Sequence, residues 1–156
     1  MAFGRDGQFF RVREDHNGED HLFVAVEAYD ADGQPRTGWG QAGNLEFFIG
    51  DTNTLLGALV LRNGALLVLI GPRPIDPTAL EAPRTAGGAQ LLRIDETGER
   101  DLHFGVGGVV TLPVSRADEL LPQDDDSVLV VDGDDVLRVA ALPEIHRIAL
   151  PQVQRP

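Results

Sequence analysis

The chain has 156 residues, 42% of them hydrophobic, enough for one domain with a real core and too many for wholesale disorder. Its 25 acidic residues against 13 basic ones, all arginine, give a net charge of −12, a field that repels nucleic acid and anionic membranes. With no cysteine and no lysine, the chain has no disulfide, thiolate nucleophile, iron–sulfur cluster, Schiff base or complete Walker loop.

Met1–Asp6 lacks the apolar core of a secretory signal, which points to the cytoplasm. Gln8–Glu14 and His21–Tyr29 then read as strands around the polar loop Asp15–Asp20. Leu22, Val24, Val26 and Ala28 alternate onto one face of the second strand. Asp30–Gln34 supplies a turn, Pro35–Gly43 an irregular stretch or short edge strand, and Leu45–Gly50 a further strand. Thr54–Arg62 and Ala65–Ile70 flank Asn63-Gly64, the strongest signal for a two-residue hairpin, in which both turn residues take a positive φ. Arg62-Asn63-Gly64 also interrupts the run Leu55–Ile70, which is too short for a membrane span.

Gly71–Gly88 breaks the strand pattern with four prolines, and Asp76-Pro77 opens a short helix, Pro77–Ala82, that Pro83 stops. This connection is a lid, a partner-binding arm or a plain crossover. Gln90–Asp95, Arg100–Val106 and Val109–Val114 follow as strands. Ser115–Asp118 resembles a capping box for a helix, Ser115–Leu121, ended by Pro122. Ser127–Val131 and Val136–Leu142 flank the acidic turn Asp132–Asp135, and Ile145–Leu150 closes the series. Both halves carry an apolar strand, an acidic glycine turn and a second strand, a likeness too generic to define a repeat.

The pattern predicts an all-β domain over residues 1–150 with a frayed tail, 151–156. The expected architecture is a sandwich or closed barrel of about nine to ten short antiparallel strands, with the Pro-rich connection and one or two short helices. Leu66–Ile70 and Val128–Val131 are apolar on both faces, so they belong in the centre or at an oligomer interface.

The chemistry-bearing residues are few. Ser115 and Ser127 lie outside any nucleophile elbow, and Gly105–Gly108 lacks the strand–loop–helix context of a phosphate loop. His16, Glu19 and His21 surround one loop and are the weak metal candidates, although neighbouring residues of an extended segment point to opposite faces. Asp30-x-Asp32 and Asp132-x-Asp134 open like calcium loops, but the twelfth positions, Gln41 and Pro143, carry no bidentate glutamate. Trp39, flanked by Gly38 and Gly40, suits either an exposed anchor for a partner or ligand or a plug at one end of the core. Asp124, Asp125 and Asp126 form the densest acidic run and the candidate contact for a basic protein.

No catalytic residue, metal site or cofactor is expected. The leading expectation is a non-catalytic binding or assembly protein, such as an immunity, inhibitor or virion accessory component. It would act on a basic protein or on itself rather than on nucleic acid or a membrane. A small-ligand β-barrel is the alternative, and a His/carboxylate metalloenzyme comes third.

Overall fold

A computed structural model describes residues 1–4, 6–16, 21–73, 88–114, 117–140 and 145–148. The described residues form twelve strands and no helix. The strands are β1 Ala2–Phe3, β2 Phe9–His16, β3 Leu22–Tyr29, β4 Asn44–Phe48, β5 Asn53–Val60 and β6 Leu66–Pro72. They continue as β7 Gln90–Ile94, β8 Val109–Thr111, β9 Glu119–Pro122, β10 Val128–Asp132, β11 Asp135–Val139 and β12 Ile145–Ile148.

These strands make three four-stranded antiparallel sheets, β1–β4, β5–β8 and β9–β12, each an up-and-down meander in chain order. The sheets stack as layers in a sandwich-like arrangement. No strand ladder joins one sheet to another, so a closed barrel is not formed.

Strand β6 explains the stacking. Leu66, Val68 and Ile70 pack with Val24, Val26 and Ala28 of the first sheet. Leu67 and Leu69, on the opposite side, pack with Val128, Val130, Leu137 and Val139 of the third. The doubly apolar run Leu66–Ile70 is therefore central, with period 2 sending alternate residues into two cores. In β10 only Val128 and Val130 are buried, while Leu129 and Val131 stay half-exposed on the outer face of the third sheet. Between layers, the backbones come closest around β5, which approaches β1, β2 and β3 on one side and β9 on the other. The first strands β1, β5 and β9 thus lie together, and the sheets splay away from them.

Two sequence expectations are corrected. Glu119–Pro122 is strand β9, not the end of a helix from Ser115, because Leu121 and Leu120 pair with Leu129 and Val130. Ladder bonds to a buried neighbour outweigh a local capping signal. Arg100–Val106 is not a strand but a series of turns touching the sheet only through the bridges Ile94↔Arg100 and Val106↔Val109. The proposed helix Pro77–Ala82 and the tail 151–156 lie outside the described residues.

The Asn63-Gly64 hairpin exists with a different turn. Only Gly64 takes a positive φ, 85°, and Leu61 and Ala65 close a three-residue loop through Leu61 N–H to Ala65 O at 2.8 Å. This is a type I turn with a glycine bulge, which needs one left-handed residue instead of two. The same closure recurs at Gly4–Gln8, Asp30–Gln34, Asp95–Glu99 and Gln123–Ser127, where Asp126 (φ 60°) holds the left-handed position.

A repeat becomes visible once the backbone is known. Asp30, Gly33, Trp39, Gly40 and Gly43 between β3 and β4 recur in order and spacing as Asp95, Gly98, Phe104, Gly105 and Gly108 between β7 and β8. In both connections the Asp carboxylate accepts backbone N–H groups at the turn, and the aromatic residue is buried. Both end in a two-residue turn with positive φ, Ala42-Gly43 and Gly107-Gly108. The likeness of the halves is therefore structural.

Candidate functional site

The acidic run lies at the tip of the β9–β10 hairpin. Asp124 pairs with Arg62 at the tip of the β5–β6 hairpin, and Asp126 Oδ1 accepts the Asn63 N–H at 3.3 Å. Asp125 pairs with Arg138 and accepts the hydroxyl of buried Ser127 at 2.6 Å, while Ser127 Oγ accepts Arg138 Nε–H at 3.1 Å. The Ser127 bonds and the Arg138 charge hold the Asp125 carboxyl below the usual carboxylate range. The three carboxylates are thus brought together, and each already engages a group of this chain. Beside them, Phe3, Val60, Arg62, Pro122 and Gln123 line a depression where the first hairpins of the three sheets gather.

Trp39 is 1% exposed, wedged edge-on against Phe10 with ring centroids 5.3 Å apart. That is the core-plug placement, and its ring offers no open face. Gly40 N–H donates to Thr97 O at 2.7 Å, so the Trp39 connection seats directly on the turn of the second repeat. The indole N–H is buried with no partner among the described residues.

The histidine candidates do not converge. His16 ends β2 with an exposed side chain, His21 Nδ1 faces Asp51 Oδ1 at 3.0 Å, and Glu19 lies outside the described residues. Among the described residues no group of three or more His, Asp or Glu side chains is placed to hold a metal ion. Asp30 Oδ1 accepts the N–H groups of Asp32 and Gln34, an Asx turn, which is the backbone role the turn reading assigns it.

Sequence reasoning missed two features. Glu14 on β2 bridges the first and second sheets, accepting Thr54 Oγ1–H at 2.6 Å, Leu55 N–H at 2.9 Å and Arg73 Nη2–H at 3.1 Å. Desolvation alone would raise its pKa, but these donors together bring it below the ordinary glutamate value. No sequence signal marks a glutamate for a partner so distant in the chain. The second is an apolar slot of about 160 Å³ where the first and second sheets splay apart. Phe47, Ile70, Leu92 and Val109 wall it, with Gln90 and Arg100 as its polar members.

No family model, curated protein or solved structure matches the chain. No helix among the described residues is long and apolar enough to cross a membrane.

Proposed function

We propose that the protein is a non-catalytic assembly module whose three sheets are units of a larger stack completed by a second copy of the chain. The observation that carries this reading is the inequality of the sheet faces. The middle sheet buries both of its faces, one in each core. The outer face of the third sheet carries Leu121, Leu129, Val131 and Val136, held side by side by the pairings Leu129↔Leu121 and Val131↔Val136 with Arg138 and Glu119 at their edges, yet none of the four aliphatic residues is fully buried. The outer face of the first sheet is different. Arg11, Arg13, Asp15, Glu27 and Tyr29 form a lattice of ion pairs and hydrogen bonds there, beside the aromatic rings of Phe9, Phe23 and Phe48.

Four-stranded meanders that converge along their first strands are the units of radially repeated β architectures, which close with roughly four to eight sheets. Three such sheets fall short, and an aliphatic sheet face is the surface on which another sheet packs. The two established sheet–sheet interfaces continue naturally into a third.

The test is the solution mass by light scattering. The expected mass is a multiple of 16.8 kDa, and Val131→Glu, which plants a charge in the proposed interface, returns it to 16.8 kDa. A parent chain that is monomeric at high micromolar concentration overturns the reading.

The net charge of −12 supports a second reading, a basic protein partner. Its contact would be the turn Asp124–Asp126, where Arg62 and Arg138 already neutralise part of the charge, so attraction would be long-range and lost at high salt.

A further inference from the structure

We propose that the slot between the first and second sheets binds a small carboxylate with an aromatic or compact aliphatic body. The slot opens where β4 diverges from β7 and β8, away from the close approach along β5. Its volume, about 160 Å³, is of the size that holds a benzene ring, since an apolar cavity of about 150 Å³ does so. The walls are side chains of Leu45, Phe47, Ile70, Leu92, Ile94 and Val109. Apolar walls with few polar groups are the ordinary construction of a small-molecule site.

Arg100 sets the ligand class. Arg100 lines the slot, and its guanidinium has no hydrogen-bond or ion-pair partner among the described residues, although most of the chain's described arginines pair with Asp or Glu. The bridge Ile94↔Arg100 fixes its backbone at the slot. Gly108 clears room for its stem, because a Cβ there would stand 2.7 Å from Arg100 Cγ and 2.8 Å from Nε. A guanidinium fork matches a carboxylate with two parallel hydrogen bonds, and Gln90 is the other polar residue of the lining. The equivalent of Arg100 in the first repeat is Pro35, so the site belongs to the second connection alone. Overall charge repels anions, so selection rests on this local contact.

Benzoate is the probe, with benzyl alcohol as its neutral counterpart, each titrated into the full chain and followed by amide chemical shifts. Saturable shifts at Leu92, Ile94, Arg100 and Val109 are expected with benzoate, at a Kd on the order of millimolar for so small a ligand. Benzyl alcohol binds about tenfold more weakly, and Arg100→Gln weakens benzoate about tenfold while leaving benzyl alcohol unchanged. Val109→Trp fills the slot and abolishes both. Arg100 is exposed, so its variant keeps the fold even if the Trp variant does not. Shifts that fail to saturate, that map away from the slot, or that survive Arg100→Gln undiminished overturn the proposal.

Discussion

The two long connections, residues 30–43 and 95–108, share a backbone and differ in surroundings. Each has an Asx turn, a left-handed glycine, a buried aromatic and a two-residue left-handed turn. The second turn is covered, for Trp39 and Gly40 press on Gly98, while the first turn is open on its outer side. The second connection also carries Leu102 and Val106, 66% and 89% exposed, where the first has Thr37 and Gln41. Local turn chemistry therefore sets the shape of each connection, and its neighbour decides which positions tolerate change.

The sharpest way to break this comparison is to add one methyl group to equivalent glycines. At Gly98, φ is +88° and a Cβ would lie 2.7 Å from Gly40 Cα and 2.8 Å from Trp39 Cδ2. Gly98→Ala is expected to cost about 3 kcal/mol or more, from overpacking added to backbone strain. Gly33 has the same kind of φ, +79°, with nothing within 4 Å of its Cβ. Gly33→Ala should cost only about 1 kcal/mol, the backbone term alone. Urea unfolding of both variants measures the difference, and equal losses would show that the covered turn is not packed as described.

A smaller effect comes from the Asp95 carboxylate. Burial raises its pKa, but the Thr97 hydroxyl and the N–H groups of Glu99, Thr97 and Gly98 outweigh that and lower it. A carboxyl with a folded pKa below its unfolded value binds fewer protons when folded, so its contribution is present above the unfolded pKa. It is lost as pH falls through the folded one. The melting temperature should decline below about pH 4, the region of unperturbed aspartate. Asp95→Asn should cost about 1 kcal/mol at neutral pH and make that acid limb shallower. A variant with an unchanged acid limb would remove Asp95 from the account. Glu14, also depressed, adds to the same limb in the parent.

The smallest expected effect is at the aromatic plug. Trp39 buries an N–H that has no partner among the described residues, and Phe104 fills the equivalent place without such a donor. Trp39→Phe removes an unsatisfied donor along with some buried area, so the two changes offset to within about 1 kcal/mol. A loss of several kcal/mol would mean that the indole fills space no phenyl ring can.

Much of the fold was legible because its signals are local. Alternation along Leu22–Ala28 sets which face is buried, and a glycine's tolerance of positive φ marks Gly33, Gly64, Gly98 and Gly133 as turn positions whatever surrounds them. The doubly apolar Leu66–Ile70 could belong only to a covered strand, and it is the centre of the stack.

The remainder was decided by groups far apart in the chain. Whether Asp124 faces solvent or Arg62, whether Trp39 anchors a partner or plugs a core, and whether Glu119–Leu121 coils or pairs depend on which sheet lies opposite. The slot beside Arg100 depends on the angle at which two sheets splay. Composition and period act through near neighbours, so they determined an acidic all-β chain and its turns. Burial and ion pairing act through space, so only the stacking of the three sheets determined which of the described carboxylates are spent within the chain and that Arg100 lines the slot without a carboxylate partner among the described residues.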